Sequence, residues 1–420
     1  MTLEYIDLKY KPKRTDLVAE YTLKPAKGVS LREACEAIAG ESSIGTWTDI
    51  HTLTPKIAKK LKPHVFSIKG NTIQVAYNEE LFETKNIPQV LSSIAGNIFG
   101  MKKLESLRLE DIEFTKKLVQ SFKGPRFGIQ GIRKMTKVKK RPLVGTIVKP
   151  KLGLSASKHA KVAYGSWIGG CDIVKDDENL TSMSFNKFRE RIRKTLEARK
   201  KAEKKTNEVK IYMPNVTAET KEMLKRAYFV KTQGGRYVMI DIMTCGWSAL
   251  QTLRNVNLGL VIHAHRAMHA ALTRNKEHGI SMLTIAKVAR LIGVDQLHIG
   301  TIVGKMAGPA VEVGGIEGEM EESMIKEKGH VLEQKWYGLK PTFAVCSGGL
   351  HPGLVDKLME KLGKNIIIQA GGGIHGHPKG TTAGAKAMRQ AVDAIMKKQT
   401  LRQYAKKHVE LKQALDEWGS

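Results

Sequence analysis

Residues Gly169–Asn179 read GGCDIVKDDEN. An apolar run from Cys171 to Val174 stops on one lysine and three carboxylates: Lys175, Asp176, Asp177 and Glu178. Charged groups are costly where a strand merely ends inside a core. The pattern therefore suits a strand whose tip opens into a site. Similar runs recur at intervals between Pro142 and about Lys398: PLVGTIVKP, VKIYMPNVT, YVMIDIMTCG, LVIHAHRA, QLHIGTIVGK, PTFAVCSGG and IIIQAGGG. Most are separated by helix-like stretches such as NKFRERIRKTLEARKK, SMLTIAKVARLIG and TTAGAKAMRQAVDAIMKK. Eight strand–helix units in about 250 residues is the arithmetic of a (β/α)8 barrel. A doubly wound open sheet is the alternative, but it carries a glycine fingerprint after its first strand, and GTIVKPKLG is not one.

The first part of the chain reads differently. Val18–Thr22 suits a strand, and SLREACEAIAG opens a helix with Ser30 and Glu33 spaced as a capping box. HVFSIKGNTIQVAYN reads as a hairpin turning at Gly70–Asn71. A second helix in IPQVLSSIAGNIFG and a last strand in SLRLEDIEFT complete a small α+β, ferredoxin-like domain, with helices on one face of the sheet. Lys123–Arg141 breaks the pattern and reads as a linker. The expected division is 1–135 for the α+β domain and 136–420 for the catalytic barrel with C-terminal helices.

The composition is that of a soluble globular chain: 420 residues, 41% hydrophobic and 26% charged. No apolar run is long enough for a membrane span, and MTLEYIDLKYKPKR lacks the apolar core of a signal peptide. The four cysteines (Cys35, Cys171, Cys245, Cys346) lack paired spacing, which suits reduced thiols and a cytoplasmic location. The net charge of +29 raises a nucleic-acid partner. Against it, Phe188, Ile192 and Leu196 make one apolar helical stripe in the densest basic run, which assigns the cations to an outer face. The other basic runs are poor in aromatics, so no stacking platform is visible.

Chemistry in such barrels sits at the C-terminal strand ends. Here those ends carry Lys149 and Lys151; Lys175, Asp177 and Glu178; Asn215; His265 and Arg266; His298 and Lys305; Ser347, Gly348 and Gly349; Gly371 and Gly372. Asp177 and Glu178 are hard oxygen donors suited to Mg2+. The glycine clusters after the seventh and eighth strands suit phosphate held by backbone N–H groups. With Arg266, His298 and Lys305, two phosphate-binding groups suggest a bisphosphate. HAHRAMH could be a metal-binding HxH, but it falls on the fifth strand and after the lysine, the wrong order for a barrel amidohydrolase. His263 reads as a core histidine and His265 as a catalytic base or acid.

The motifs carry a resemblance. GGCDIVKDDEN, KPKLGLS and HAHRAMHA, with ESSIGTW and GNIFG nearer the N-terminus, resemble the large subunit of ribulose-1,5-bisphosphate carboxylase/oxygenase (RuBisCO), nearest its archaeal form III. The likeness runs from about Lys9 to Lys398. It implies carboxylation of ribulose-1,5-bisphosphate by CO2, with competing oxygenation by O2, to give 3-phosphoglycerate. It implies that Lys175 reacts with activator CO2 to form a carbamate, which holds Mg2+ with Asp177 and Glu178, and that Asp176 is a neighbour only. The carbamate would take the C3 proton, Lys305 would stabilise the new carboxylate, His265 would serve hydration, and Lys149 would protonate the final carbanion. Lys151 would support the metal site. One phosphate would meet Gly349, Gly371, Gly372, Lys305, Thr46 and Trp47. The other would meet Arg266, His298 and Ser347, beside Gly348. Glu41 would pair with Lys305, and Asn97 would contact substrate. In the family Glu41, Thr46, Trp47 and Asn97 serve a partner subunit's site, which implies a homodimer or a multiple of dimers, with no small subunit expected.

Three positions depart from the plant-type pattern: Ile147 for threonine, Ala307 for the glutamate of GKLEG, and Glu219 for glycine. None falls in the metal set; they bear on efficiency and CO2/O2 discrimination. The rival readings are a RuBisCO-like enolase or isomerase of sulfur salvage, and a basic nucleic-acid-binding protein. The first loses several phosphate and loop residues that are present here; the second leaves the strand-end constellation without a reason.

Overall fold

The computed structural model describes residues 3–48, 50–304 and 308–419. The chain forms two compact units. One comprises the chain up to Gly124 with Met268–Ile292 and Glu322–Leu339; the other comprises Pro125–Ala267, Gly293–Glu321 and Lys340–Ser420.

In the first unit, β1 (Asp16–Pro25), β2 (His64–Lys69), β3 (Thr72–Asn78) and β4 (Leu104–Glu113) pair antiparallel in the order β4-β1-β3-β2. Helices Leu31–Glu41 and Ile87–Ile94 complete the expected βαββαβ order. The predicted capping box is present: Ser30 and Glu33 bond each other's backbone N–H. Gly70 turns the hairpin at φ +58°, a conformation that favours glycine. Tyr21 points to the helices and donates to the Ile94 carbonyl at 2.7 Å. The other face of the sheet is not bare, which corrects the expectation of helices on one face only. There the buried Asp111 pairs with Lys287 at 2.9 Å, and Glu20 with His330 at 2.6 Å. Later chain segments supply this cover, so local pattern could not reveal it.

The second unit holds eight parallel strands: β5 (Leu143–Ile147), β6 (Ile173–Lys175), β7 (Ile211–Met213), β8 (Tyr237–Asp241), β9 (Val261–His265), β10 (Gln296–Gly300), β11 (Phe343–Ser347) and β12 (Ile366–Ala370). Their order is β7-β6-β5-β12-β11-β10-β9-β8. A parallel bridge from Asn215 to Met239 closes β7 onto β8, which completes the barrel. Every strand matches one of the eight apolar runs.

Lys123–Arg141 is not simply a linker. It contains a helix, Gly128–Thr136, whose Ile129 and Ile132 pack against Leu143, Ile173, Ile211 and Tyr237. These residues stand at the starts of their strands, so the helix plugs the N-terminal end of the barrel. Burying each large aliphatic side chain contributes about 1.5–3 kcal/mol. That gain forms a helix which its own glycines, Gly128 and Gly131, disfavour.

The helix Phe188–Thr206 buries Phe188, Ile192 and Leu196 as expected. Its outer arginines Arg189 and Arg193 lie 4.8 and 5.4 Å from the Phe229 ring centre. Arg191 departs from the expected outer face: it is fully buried and points at the tip of β6. All four cysteines are free. Among the described residues, no helix is long and apolar enough to cross a membrane.

Candidate active site

β6 ends on Lys175, whose side chain is buried. Its Nζ donates to the Asp176 carbonyl at 2.9 Å and to Glu178 Oε2 at 3.2 Å, and lies 3.4 Å from Met239 Sδ. The three acids that follow take three different partners. Asp176 turns away from the barrel mouth. Its carboxylate accepts from Arg191 Nε (3.0 Å), Tyr212 Oη (2.6 Å) and the Asn215 N–H (3.0 Å), with His159 Nε2 3.1 Å away. Burial alone would raise its pKa, but the Arg191 and His159 contacts hold it below the usual carboxylate range. Asp177 accepts from Lys149 Nζ at 2.7 Å. Glu178 faces Lys175. Burial again pushes upward, and the Lys175 and His265 charges overcome it, pulling Glu178 down to about 2. Asn215 Nδ2 ties the tip by donating to the Glu178 carbonyl at 2.9 Å.

His265, at the end of β9, bonds through Nδ1 to Asp241 Oδ1 at 2.7 Å, and its Nε2 is 3.7 Å from Glu178 Oε2. Sequence reasoning passed over Asp241. It ends β8, so the strand-end rule could have found it. His263 is the expected core histidine: Nδ1 meets Gln296 Oε1 and Nε2 meets His298 Nε2, both at 2.9 Å. His298 Nδ1 in turn meets Ser347 Oγ at 2.7 Å. Burial lowers the pKa of His263 to about 3 and that of His298 well below the ordinary value, with neighbouring positive charge adding to both. Both rings are therefore neutral near pH 7.

Arg266 follows His265. Burial brings its guanidinium down to about 10, which leaves it cationic at neutral pH. Gly348 and Gly349 adopt φ of +119° and +74°, where a side chain would be strained. A Cβ on Gly371 would stand 3.1 Å from Lys149 Cε, so the bare backbone lets the lysine pass close. Gly372 begins the turn after β12. Lys151 is exposed. Ile147 ends β5. Lys305 and Ala307 lie outside the described residues.

In the first unit, Asn97 Nδ2 donates to Glu41 Oε1 at 3.4 Å. Glu41, Thr46 and Trp47 border a cavity of about 490 Å³, with Trp47 91% exposed. Glu219, the departure from glycine, caps the helix Thr220–Thr232 by accepting from the N–H groups of Lys221 and Glu222.

The donor set can be tested against a metal. Among the described residues, no three His, Cys, Asp or Glu side chains gather as a metal cluster. At the β6 tip Glu178 meets Lys175 at 3.2 Å, Asp177 lies between them in sequence but faces Lys149, and an ammonium cannot ligate. A carboxylate added to Lys175 would replace that cation by a third hard oxygen donor. The set would then fit Mg2+.

Comparisons with known proteins cover the whole chain. Residues 128–418 match the family model for the ribulose bisphosphate carboxylase large chain, catalytic domain, and residues 4–118 match its N-terminal domain. The ribulose bisphosphate carboxylase of Methanosarcina mazei is 53% identical over 425 residues, covering 100% of this chain and 99% of the relative. That of Methanocaldococcus jannaschii is 52% identical, covering 99% and 100%. The octameric enzyme of Pyrococcus horikoshii OT3 superposes with a TM-score of 0.92 at 49% identity, covering 99% of this chain and 96% of that one. The dimeric archaeal enzyme of Hyperthermus butylicus superposes at 0.93 with 44% identity, covering 99% of each.

Proposed function

The chain belongs to the ribulose bisphosphate carboxylase large-chain family and is a carboxylase of that kind, and from that premise we propose how its own residues perform the reaction. The carrying observation is the buried Lys175 Nζ, 3.2 Å from Glu178 and on the same strand tip as Asp177. CO2 adds to this amine with loss of a proton and leaves an anionic carbamate. Asp177 and Glu178 would hold Mg2+ together with that carbamate, and the bound ion would supply positive charge near oxyanions developing on the substrate.

The carbamate on Lys175 takes the C3 proton of ribulose-1,5-bisphosphate, giving an enediolate. CO2 forms a bond to C2, and Lys305 neutralises the new carboxylate. Water adds at C3, with His265 as base. The Asp241 carboxylate fixes the His265 ring by its 2.7 Å bond, so Nε2 faces the barrel mouth. Cleavage between C2 and C3 leaves one 3-phosphoglycerate and a carbanion. Lys149, poised on Asp177, protonates that carbanion to the second 3-phosphoglycerate. O2 competes with CO2 for the same enediolate.

Arg266 and Ser347 hold one phosphate, with His298, whose two ring nitrogens are taken by His263 and Ser347, orienting the serine; Gly349, Gly371 and Gly372 hold the other, with Gly348 shaping the loop and Lys151 supporting the metal site. Thr46, Trp47, Glu41 and Asn97 serve the site of a second copy, so a dimer is the smallest active form. The test is product analysis with ribulose bisphosphate, ¹⁴C-bicarbonate and Mg2+. Labelled 3-phosphoglycerate is expected from the wild type and none from Lys175→Arg, which cannot form the carbamate. Isomerised substrate without fixed label would instead place the protein with the enolase-type relatives.

A further inference from the structure

The barrel has a second concave site, at the end opposite the mouth. A cavity of about 860 Å³ is bordered by the loop Lys137–Arg141, by Asp172 and Val209, by Arg236 and by Arg389. Arg141, Asp172, Val209 and Arg236 lie one or two residues before β5, β6, β7 and β8 begin. Strands of three to five residues separate this end from the catalytic tips by roughly 10–15 Å.

The charges around the cavity do not cancel. Its acids are already neutralised. Asp172 takes both Arg141 nitrogens at 2.6 and 2.7 Å. Asp393 is 3.3 Å from Arg389, Glu208 is 2.7 Å from Lys210, and Glu203 is 3.8 Å from Arg199. That leaves Lys137, Lys139, Lys140 and Arg236, all exposed on the border, with no acid partner among the described residues.

The basic loop is also pre-shaped. The buried Arg133 donates to the carbonyls of Val138 and Arg141, both at 3.0 Å, and so clamps the loop on either side of Lys139 and Lys140. The Arg141–Asp172 pair pins its far end. An ordinary solvated charge run has neither clamp nor concavity. A fixed cation cluster at a cavity suits an anion of several charges. The lining has no aromatic side chain, so nothing there would stack on a base.

We infer that this cavity binds a compact anion in which two or more phosphoryl groups are linked directly to one another, unlike the separated phosphates of ribulose bisphosphate, recognised through Lys137, Lys139, Lys140 and Arg236 and independent of the catalytic mouth. The volume falls in the range of small-molecule sites. Calorimetric titration of the full chain with tripolyphosphate tests it, beside the variant Lys139→Ala/Lys140→Ala/Arg236→Ala. The wild type is expected to show a second class of sites besides the mouth. The variant should lose it, or bind about tenfold or more weakly there, with carboxylation kcat and KM unchanged. Those unchanged constants show that the variant is folded. Orthophosphate should bind the same class much more weakly, and adding excess ribulose bisphosphate should leave the class in place. Equal binding by wild type and variant overturns the inference, as does a single class that ribulose bisphosphate displaces. Tighter binding of a DNA duplex, lost in the same variant, also overturns it and makes the patch a nucleic-acid surface.

Discussion

Asp176 and Asp177 are adjacent, chemically identical and both buried, yet their replacement by asparagine should fail in opposite ways. Asp176→Asn removes the charge facing Arg191, which is itself buried. Leaving one partner of a buried pair costs about 3–5 kcal/mol. Arg191 keeps bonds to Asn186 and to the Thr181 carbonyl, so the lower end, about 3 kcal/mol, applies. At about 2–4 °C per kcal/mol, the thermal midpoint should fall by about 6–12 °C. The Asp176 carboxylate does not face Lys175, so activity at 25 °C should stay within about threefold. Asp177→Asn instead loses a proposed metal ligand, and its partner Lys149 is part-exposed. Its midpoint should move by only about 1 kcal/mol equivalent, while carboxylation drops by about a hundredfold or more. The pH dependence carries a sign. The native pKa of Asp176 is depressed, so its stabilisation is complete above the ordinary range near 4 and is lost as pH falls below it. The gap between wild type and Asp176→Asn should therefore narrow on acidification. The assays are thermal melts at pH 7 and pH 3.5 and ¹⁴C fixation at 25 °C. An Asp176→Asn protein that melts like wild type, or that is folded but inactive, refutes the division of labour.

Four further outcomes are expected. Burial pushes Glu113 up to about 7, so the native state loses stability as pH rises from about 4.5 through 7; Glu113→Gln should gain about 1 kcal/mol at pH 8 and nothing at pH 4.5 in urea unfolding, discounted for partial exposure. Ile129→Ala should cost about 2–5 kcal/mol by leaving a void in the barrel plug, read in the same unfolding assay. Mixing inactive Lys175→Ala with inactive Asn97→Ala chains should restore part of the activity if sites are shared between copies; no rescue despite demonstrated subunit mixing argues for sites within one chain. Lys305→Ala should lose ¹⁴CO2 fixation while still washing tritium from C3 of the substrate; equal loss of both places Lys305 in binding or enolisation instead.

The barrel was legible because its eight strands are short apolar runs with polar tips, a pattern local enough to read. The candidate site was proposed from the same pattern: Lys175, His265 and Ser347 end their strands, and Asp177 and Glu178 follow β6 closely. What escaped depends on a misplaced strand end or on distant contacts. Asp241 ends β8 in the middle of an apolar run, YVMIDIM, so the tip looked later than it is. Arg191 sits in a basic run that predicts an outer face, and only the position of the β6 tip makes it the counter-ion of Asp176. The plug helix has weak propensity and exists through its packing under the barrel. The covered face of the first sheet relies on segments more than a hundred residues away in sequence.

The row Gln296–His263–His298–Ser347 has a direction. The Gln296 amide oxygen faces His263 Nδ1, so that nitrogen must carry the ring's proton. His263 Nε2 is then the acceptor for His298 Nε2–H, and His298 Nδ1 accepts the Ser347 hydroxyl. Every proton in the row points the same way, and Ser347 offers lone pairs outward. A phosphate oxygen at the proposed subsite would need a donor there. Gln296 Nε2 is buried without a hydrogen-bond partner. Rotating that one amide by half a turn would set its N–H against His263, shift both neutral rings to the other tautomer, and send the Ser347 hydroxyl outward. Whether Ser347 can donate to a proposed phosphate is thus set three residues away, by which end of a single carboxamide faces a histidine.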